Sequence, residues 1–259
     1  MTFITKKDQH RIGLFDALLI RTTTSLDHYT YRFARKAADE GIPVIDSAEN
    51  ILQCTNKIFL YELLKRHGIP TPETTVFDSH QLDKVCNTAT WPSVLKVPDS
   101  CFSLGVFRVD SPDELRARAK QMFKESDLLL IQSWVPTEFD WRIGVLDGAP
   151  LFACRYFMAK GHWQIADNDA DEGIVYGDTD TLDIADVPAD IVDVAVRAAK
   201  AVGHGLFGVD VKQTSRGPLV IEVNDNPNLD ADVEDLVLGP DLYRRILSSL
   251  THRVGLPVR

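Results

Sequence analysis

Residues 208–228 read GVDVKQTSRGPLVIEVNDNPN. Two apolar runs, Phe207–Gln213 and Pro218–Val223, flank a short polar stretch with a glycine, which predicts a hairpin. Glu222 and Asn224 stand two apart on the second strand, so their side chains share a face. Asp210 is on the first strand, and a hairpin of this length can bring it opposite them. Two carboxylates and one amide oxygen form a hard-oxygen set suited to Mg²⁺. The plainer reading is an edge strand whose solvated acids run into a turn, and an isolated ExN would favour it. Three acceptors on one face, followed by the rigid NDNPN, favour the metal set.

Working outward, the 259-residue chain is 44% hydrophobic and 25% charged, with a formal net charge of −10. That is the composition of an ordinary globular protein and not of a nucleic-acid binder, which needs a basic face. The acids are clustered, eight in 167–186 and six in 222–235, with no Lys or Arg in either stretch. The remaining 24 acids face 28 bases, a mildly basic body. The N-terminus lacks the features of a signal peptide, and no apolar window is long enough to span a membrane. The four cysteines are far apart with no CxxC pair, which argues for reduced thiols in a cytosolic protein.

Strands are expected at 14–20, 43–45, 74–77, 93–97, 106–109, 128–132, 142–146 and 151–156. The pair 142–146 and 151–156 is a hairpin through Asp147-Gly148. Helices are expected from Asp27 to Gly41, over 48–54 behind a Ser47 cap, and over 56–67 behind a Thr55 cap. Further helices fall at 79–86, 111–123, 188–202 and 239–250. The acidic stretch 167–186 reads as a loop with one short strand. Strands alternating with helices, interrupted by hairpins, indicate α/β or α+β layering.

Lys96 lies inside the apolar strand SVLKV, where a buried ammonium is expensive unless paired. A phosphate is one partner for it; a stem reaching solvent at the strand end is the other reading. The loop after it, PDSCFSLG (98–105), is suited to folding over phosphates, although it is itself neither a Walker A loop nor a GxGxxG loop. Lys57 in the first turn of a helix is by itself a plain surface lysine. Arg142 and Arg155 fall on apolar hairpin strands and need an anion, either a transferring phosphoryl group or a structural carboxylate. Trp134, Trp141 and Trp163 nearby read as core. No Ser–His–Asp or Cys–His grouping is evident.

These pieces resemble the ATP-grasp superfamily, in particular RimK-like carboxylate–amine ligases of the α-L-glutamate ligase type. The resemblance runs from Thr22 to Arg245. It is carried by CTNKIFLYELLKRHGIPTP (54–72), VLKVPDSCFSLGV (94–106), EFDWRIGVLDG (138–148), RYFMAKGHWQI (155–165), GVDVKQ, and IEVNDNPNLDADVEDLVLGPDLYRR (221–245). It implies an α+β ATP-grasp fold, two α+β lobes enclosing a nucleotide behind a shortened α/β N-terminal segment. The segment would cover 1–54 and the ATP-grasp domain 55–259, with lobe one about 55–127 and lobe two about 128–259.

By the same resemblance Lys57 and Lys96 contact ATP phosphates, and Ser103 and Gly105 lie in the small loop that closes over them. Gln132, Ser133, Trp134 and Val135 form the hinge strand that reads adenine, with Asp140 near the ribose. Asp210, Glu222 and Asn224 hold two Mg²⁺ ions, with Mn²⁺ a substitute. Arg142 and Arg155 are the catalytic arginines. Carboxylate and amine substrates, small or peptidic, are the expected partners, nucleic acid and membrane are not, and a homo-oligomer is left open. The chain departs from the family where Arg-Ser-Asn would follow the second hairpin strand, reading Gln164-Ile165-Ala166 instead. Three functions stay open: a carboxylate–amine ligase, the same activation with a different nucleophile, and a nucleotide-binding module without turnover.

Overall fold

The computed structural model describes residues 1–99, 105–167 and 173–255. At the N-terminus, strands β1 (Leu18–Leu19) and β2 (Val44–Ile45) pair in parallel across helix α1 (Tyr29–Asp39). Helix α2 (Ala48–Thr55) follows, capped by Ser47 as its sequence requires, with Ser47 Oγ accepting from Asn50 N. Ile12, Phe33, Ala34, Ala37 and Ile51 make this unit's own core. The strand expected over 14–20 shrinks to two residues, because Lys6–Leu14 coils into a 3-10 turn capped by Thr5.

Helix α3 (Lys57–Arg66) is capped by Asn56, whose Oδ1 accepts from the amides of Ile58 and Phe59. Thr55, expected in that role, instead ends α2 and donates back to Ile51 O. The cap moves by one residue because an Asx side chain reaches the N2 and N3 amides directly.

A four-stranded antiparallel sheet comes next. It contains β3 (Thr74–Phe77), β4 (Ser93–Lys96), β5 (Val106–Val109) and β6 (Leu129–Ser133), in the order β3-β6-β4-β5, with helices α4 (Leu82–Thr88) and α5 (Pro112–Met122). Phe77, Leu95, Val109, Leu129 and Ile131 face those helices and pack with Leu82, Val85, Leu115 and Ala119. By strand alternation Thr74, Val94, Lys96, Leu130 and Gln132 face the other way, toward the second lobe.

The second lobe is a five-stranded sheet with β7 (Phe139–Leu146), β8 (Ala149–Phe157), β11 (Thr179–Leu182), β12 (Leu206–Thr214) and β13 (Gly217–Asp225), ordered β11-β8-β7-β12-β13. A separate two-stranded ladder joins β9 (Ala166–Asp167) to β10 (Val175–Tyr176). Helix α6 (Ala189–Val202) presents Ile191, Val194, Ala195, Ala198, Ala199 and Val202, a repeat of three and four residues, to Ile143, Val209, Val211, Val220 and Val223. Each fully buried Val or Ile there contributes roughly 1.5–3 kcal/mol. Helix α7 (Pro240–Arg253) covers part of the opposite face with Leu242, Ile246 and Leu250. The rest of that face is left for polar groups.

Two expected lobe boundaries change. Strand β6, placed at the start of the second lobe by its sequence position, is an interior strand of the first-lobe sheet. Helix α3, placed in the first lobe, buries Leu60, Leu63 and Leu64 in the second-lobe core beside Trp141 and Ile191. In both cases hydrogen bonding and apolar burial, not order along the chain, assign the element. Within the acidic stretch, Thr179–Leu182 pairs with β8 as an edge strand, and 168–172 lie outside the described residues.

Candidate active site

The polar face of the five-stranded sheet is organised by register. Asp210 of β12 lies opposite Arg142 of β7 on one side and Glu222 of β13 on the other, and Gly208 lies opposite Asn224. A β-bulge creates this arrangement. Counted up from the Thr214–Gly217 end, regular pairing would set Asp210 against Ile221; the register shift between Asp210 and Val211 sets it against Glu222 instead. Without that extra residue the two carboxylates would point to opposite faces.

Arg142 grips Asp210 through two bonds, one from Nε to Oδ1 and one from Nη2 to Oδ2 at 3.0 Å. Asn224 Nδ2 donates to Asp210 Oδ2 at 3.1 Å and to Gly208 O at 3.3 Å. Burial penalises both charges of the pair, and the Asp210 carboxylate still holds the Arg142 guanidinium above its ordinary range. Gly208 leaves room for the arginine stem, since a Cβ there would sit 2.9 Å from Arg142 Cδ and 2.8 Å from Pro227 Cβ.

Lys57 Nζ is 3.8 Å from Glu222 Oε1. Lys96 Nζ donates to Gln132 Oε1 at 2.8 Å, and Gln132 Nε2 donates to Thr74 Oγ1 at 2.9 Å. Burial pulls the Lys96 ammonium down to about 8; Glu222 works against that fall, and Lys57 and Lys212 add to it. Lys57, Lys96, Gln132 and Glu222 therefore line one cavity between the lobes, with Tyr61 and Ile221, of about 30 Å³. That is roughly a tenth of the smallest usual ligand pocket, room for about one water. Trp134 and Val135 line a separate open cleft of about 400 Å³ with Arg108, Thr137, His162 and Trp163. The Arg108 guanidinium stacks 4.0 Å over the Trp134 ring. The expected hinge residues are thus divided. Gln132 joins the lysines, Trp134 and Val135 face the second cleft, and Ser133 pairs its hydroxyl with Thr90 at 3.2 Å.

Gly105 closes the turn back onto β4, its carbonyl accepting from Val97 N. Its φ of +67° and a would-be Cβ 2.6 Å from Val97 Cγ2 both require glycine. Ser103 lies outside the described residues. Asp140 Oδ1 accepts from Lys212 Nζ at 2.5 Å and from Thr137 Oγ1 at 3.0 Å.

Among the described residues, Arg155 is turned away from the sheet face that carries Arg142 and Asp210. It pairs with Trp141 across β7–β8, so it shares the helix-covered face and not that of Arg142, which pairs with Cys154. Its guanidinium binds Asp180 and lies 5.3 Å from the Phe139 ring. The neighbouring Tyr156 occupies the site face. Its ring lies 5.2 Å from the Arg142 guanidinium, and its hydroxyl donates to Glu234 Oε1. Glu234 is buried, and its Oε2 accepts from Asp230 N at 2.7 Å. Sequence reasoning missed Lys212, Tyr156 and Glu234. For Lys212 the signal was available, because it stands two residues after Asp210 on one strand.

The donor set fits a hard divalent cation. Among the described residues no group of three or more His, Cys, Asp and Glu is arranged to hold a metal ion. Two facing carboxylates and an amide instead suit an ion that keeps water and phosphate oxygens in its shell.

A family model for the RimK-like ATP-grasp domain matches residues 54–250. A protein described as a probable alpha-L-glutamate ligase of Xanthomonas campestris pv. campestris (strain 8004) is 29% identical over 248 residues, covering 93% of this chain and 80% of that protein. Another so described, from Parasynechococcus marenigrum (strain WH8102), is 25% identical over 246 residues, covering 93% of this chain and 50% of its own length. Among solved structures, D-alanine–D-alanine ligase from Bacillus anthracis superposes with a TM-score of 0.76 at 18% identity, covering 96% of this chain and 84% of that one. A RimK-domain ATP-grasp protein from Sphaerobacter thermophilus gives 0.63 at 20% identity, covering 95% and 82%. These likenesses establish the ATP-grasp fold, and no helix among the described residues is long and apolar enough to cross a membrane. With three quarters of its length matched by the family model, the chain belongs to the RimK-like ATP-grasp family.

Proposed function

We propose that the protein is an ATP-dependent ligase that activates a carboxylate as an acyl phosphate and joins it to an amine of an amino acid or peptide. The observation that carries this reading is the row Arg142–Asp210–Glu222 across three adjacent strands, facing Lys57 and Lys96. Relatives described as alpha-L-glutamate ligases support it.

In the first step a carboxylate oxygen attacks the γ-phosphorus of ATP and the bond to ADP breaks. In the second, the amine nitrogen attacks the acyl carbon, sheds a proton, and phosphate leaves. Phosphoryl transfer needs positioning and charge neutralisation more than a covalent side chain. Lys57 and Lys96 supply positive charge to the phosphates, and Arg142 supports charge developing on the transferred phosphoryl and the acyl carbon's oxygen. Asp210, Glu222 and Asn224 would hold Mg²⁺, in one or two ions with Mn²⁺ as a substitute, which neutralises phosphate charge when bound. Arg142 and Lys57 neutralise the two carboxylates and keep them paired on the site face. By the family resemblance Gln132 would lie in the strand that reads the base and Asp140 would meet the ribose. The cavity of about 30 Å³ must widen to admit a nucleotide, so Lys96 exchanges Gln132 for phosphate as ATP enters.

The test is ADP release with Mg²⁺ over a matrix of carboxylates and amines, including L-glutamate. ADP formed only when both partners are present supports the ligase. ADP release that ignores the amine, or that survives Glu222→Ala, sinks it.

A further inference from the structure

Lys57 and Lys96 face one cavity but belong to different cores. Lys57 opens α3, whose Leu60, Leu63 and Leu64 are buried in the second lobe. Lys96 ends β4, whose Leu95 is buried in the first. Neither core by itself sets the spacing of the two ammoniums. A junction beside both lysines does. The Lys57 amide donates to Pro98 O at 2.9 Å, and Asn56 forms an antiparallel bridge with Asp99. Across that bridge Asn56 Nδ2 donates to Asp99 Oδ1 at 2.8 Å. The residue just before Lys57 is thus fastened to the residue three places after Lys96.

The Asn56 side chain is used at both ends. Its Oδ1 caps α3 by accepting from Ile58 N at 3.1 Å and Phe59 N at 3.0 Å, while its Nδ2 holds the extension of β4. Aspartate would cap α3 as well and would suit the helix dipole better. It lacks the donor, however, and would set a second carboxylate against Asp99. One turn further along α3 the Tyr61 hydroxyl donates to Thr74 O at 3.0 Å. The helix therefore keeps a contact with the first-lobe sheet when the Asn56 bond is broken.

We propose that Asn56 is a positioning residue, which holds Lys57 against the end of β4 so that the Lys57 and Lys96 ammoniums meet the same triphosphate. The inference rests on the ligase reading, in which both lysines bind phosphate, and adds to it a residue that touches no substrate itself. Ammoniums held in advance spare part of the ordering cost that flexible lysine stems bear when they bind an anion.

The test is binding of a non-hydrolysable ATP analogue with Mg²⁺ to the full chain by calorimetry, with melting temperatures read on the same samples. Asn56→Asp keeps the cap, breaks the bond to Asp99, and weakens the analogue by about tenfold. Asn56→Asp combined with Asp99→Asn exchanges donor and acceptor and brings binding back to within about threefold of wild type. In a Lys57→Met background Asn56→Asp costs less than about a further twofold, because the lysine it acts through is gone. Analogue binding by Asn56→Asp equal to wild type overturns the proposal. So does the full tenfold loss on top of Lys57→Met, or an exchange variant that melts like wild type yet binds no better than Asn56→Asp. Should Asn56→Asp fail to fold, Asn56→Ser, which keeps a capping oxygen and lacks the amide donor, is judged by the same criteria. In each of these cases wild-type binding leaves the nucleotide reading intact. Wild type that does not bind the analogue takes down that reading and the proposal together.

Discussion

Arg142 and Asp210 face each other across β7 and β12 and are joined by two bonds, with Nη2 to Oδ2 at 3.0 Å. The two side chains are largely buried, 12% and 13% exposed, so each charge depends on the other. Arg142→Ala should lower turnover by about 10²–10³ if the arginine stabilises the transferring group. It should also destabilise the fold by about 3–5 kcal/mol, because a buried carboxylate is left alone. Arg142→Ala with Asp210→Asn should recover much of the stability and none of the activity. Urea unfolding and ADP release on the same samples separate the two effects.

Lys96 gives a pH signature. Burial brings its ammonium down to about 8 in the free protein, so its charge is present below that pH and lost above it. The value of kcat/KM for ATP should therefore fall as pH rises through about 8, since that ratio reports the free enzyme. Lys96→Arg should be weaker overall and flat across this range. A wild-type profile flat to pH 10 would contradict the assignment.

Arg155 should matter little to chemistry. On the helix-covered face it stacks among aromatic rings and binds Asp180. Arg155→Ala is expected to change kcat by less than about threefold, with a stability loss near 1 kcal/mol from lost packing and the half-exposed ion pair. A large fall in kcat with an unchanged melting temperature would place Arg155 back at the site.

Asp46 ties the N-terminal unit to the second lobe through the amides of Leu206 and Asn226. Burial raises its carboxyl from 3.8 to about 6. The native state then holds the proton more tightly than the unfolded chain, so stability is greatest below about pH 4 for this group and declines as pH rises through about 6. Asp225, raised to about 7 by burial, slopes in the same direction. Relative to wild type, Asp46→Asn should gain a few degrees in Tm between pH 4 and pH 7, read by calorimetry. A constant difference between the two proteins would remove Asp46 as the titrating group.

Much of the fold was legible because local chemistry fixed it. Ser47 and Ser111 cap the helices that follow them, and Asp147-Gly148 turns the hairpin with both residues at positive φ. The apolar runs 74–77, 93–97 and 106–109 became strands within a residue of expectation. The residue pattern singled out Lys96 and Glu222, the resemblance gave Lys57 its role, and the structure gathers all three around one cavity. Legibility stopped where facing depended on a bulge. In β7–β8 the register shifts between Gly144 and Val145, so parity counted from the Asp147-Gly148 turn is off by one, and Tyr156 replaces Arg155 on the site face.

The sequence by itself determined the chemical inventory: two carboxylates and an amide in DVKQ…EVN, two lysines, an arginine, and strands apolar enough to hold them in a core. Only the tertiary structure decided which of these meet. The bulge between Asp210 and Val211 turns Glu222 toward Asp210, and hydrogen bonding puts β6, with Gln132, in the sheet that carries Lys96. Asn56 is set beside Asp99 from 43 residues away along the chain. The physical reason is that side-chain direction along a strand has period two, so one inserted residue reverses it, while contacts between distant segments leave no periodic mark in either one.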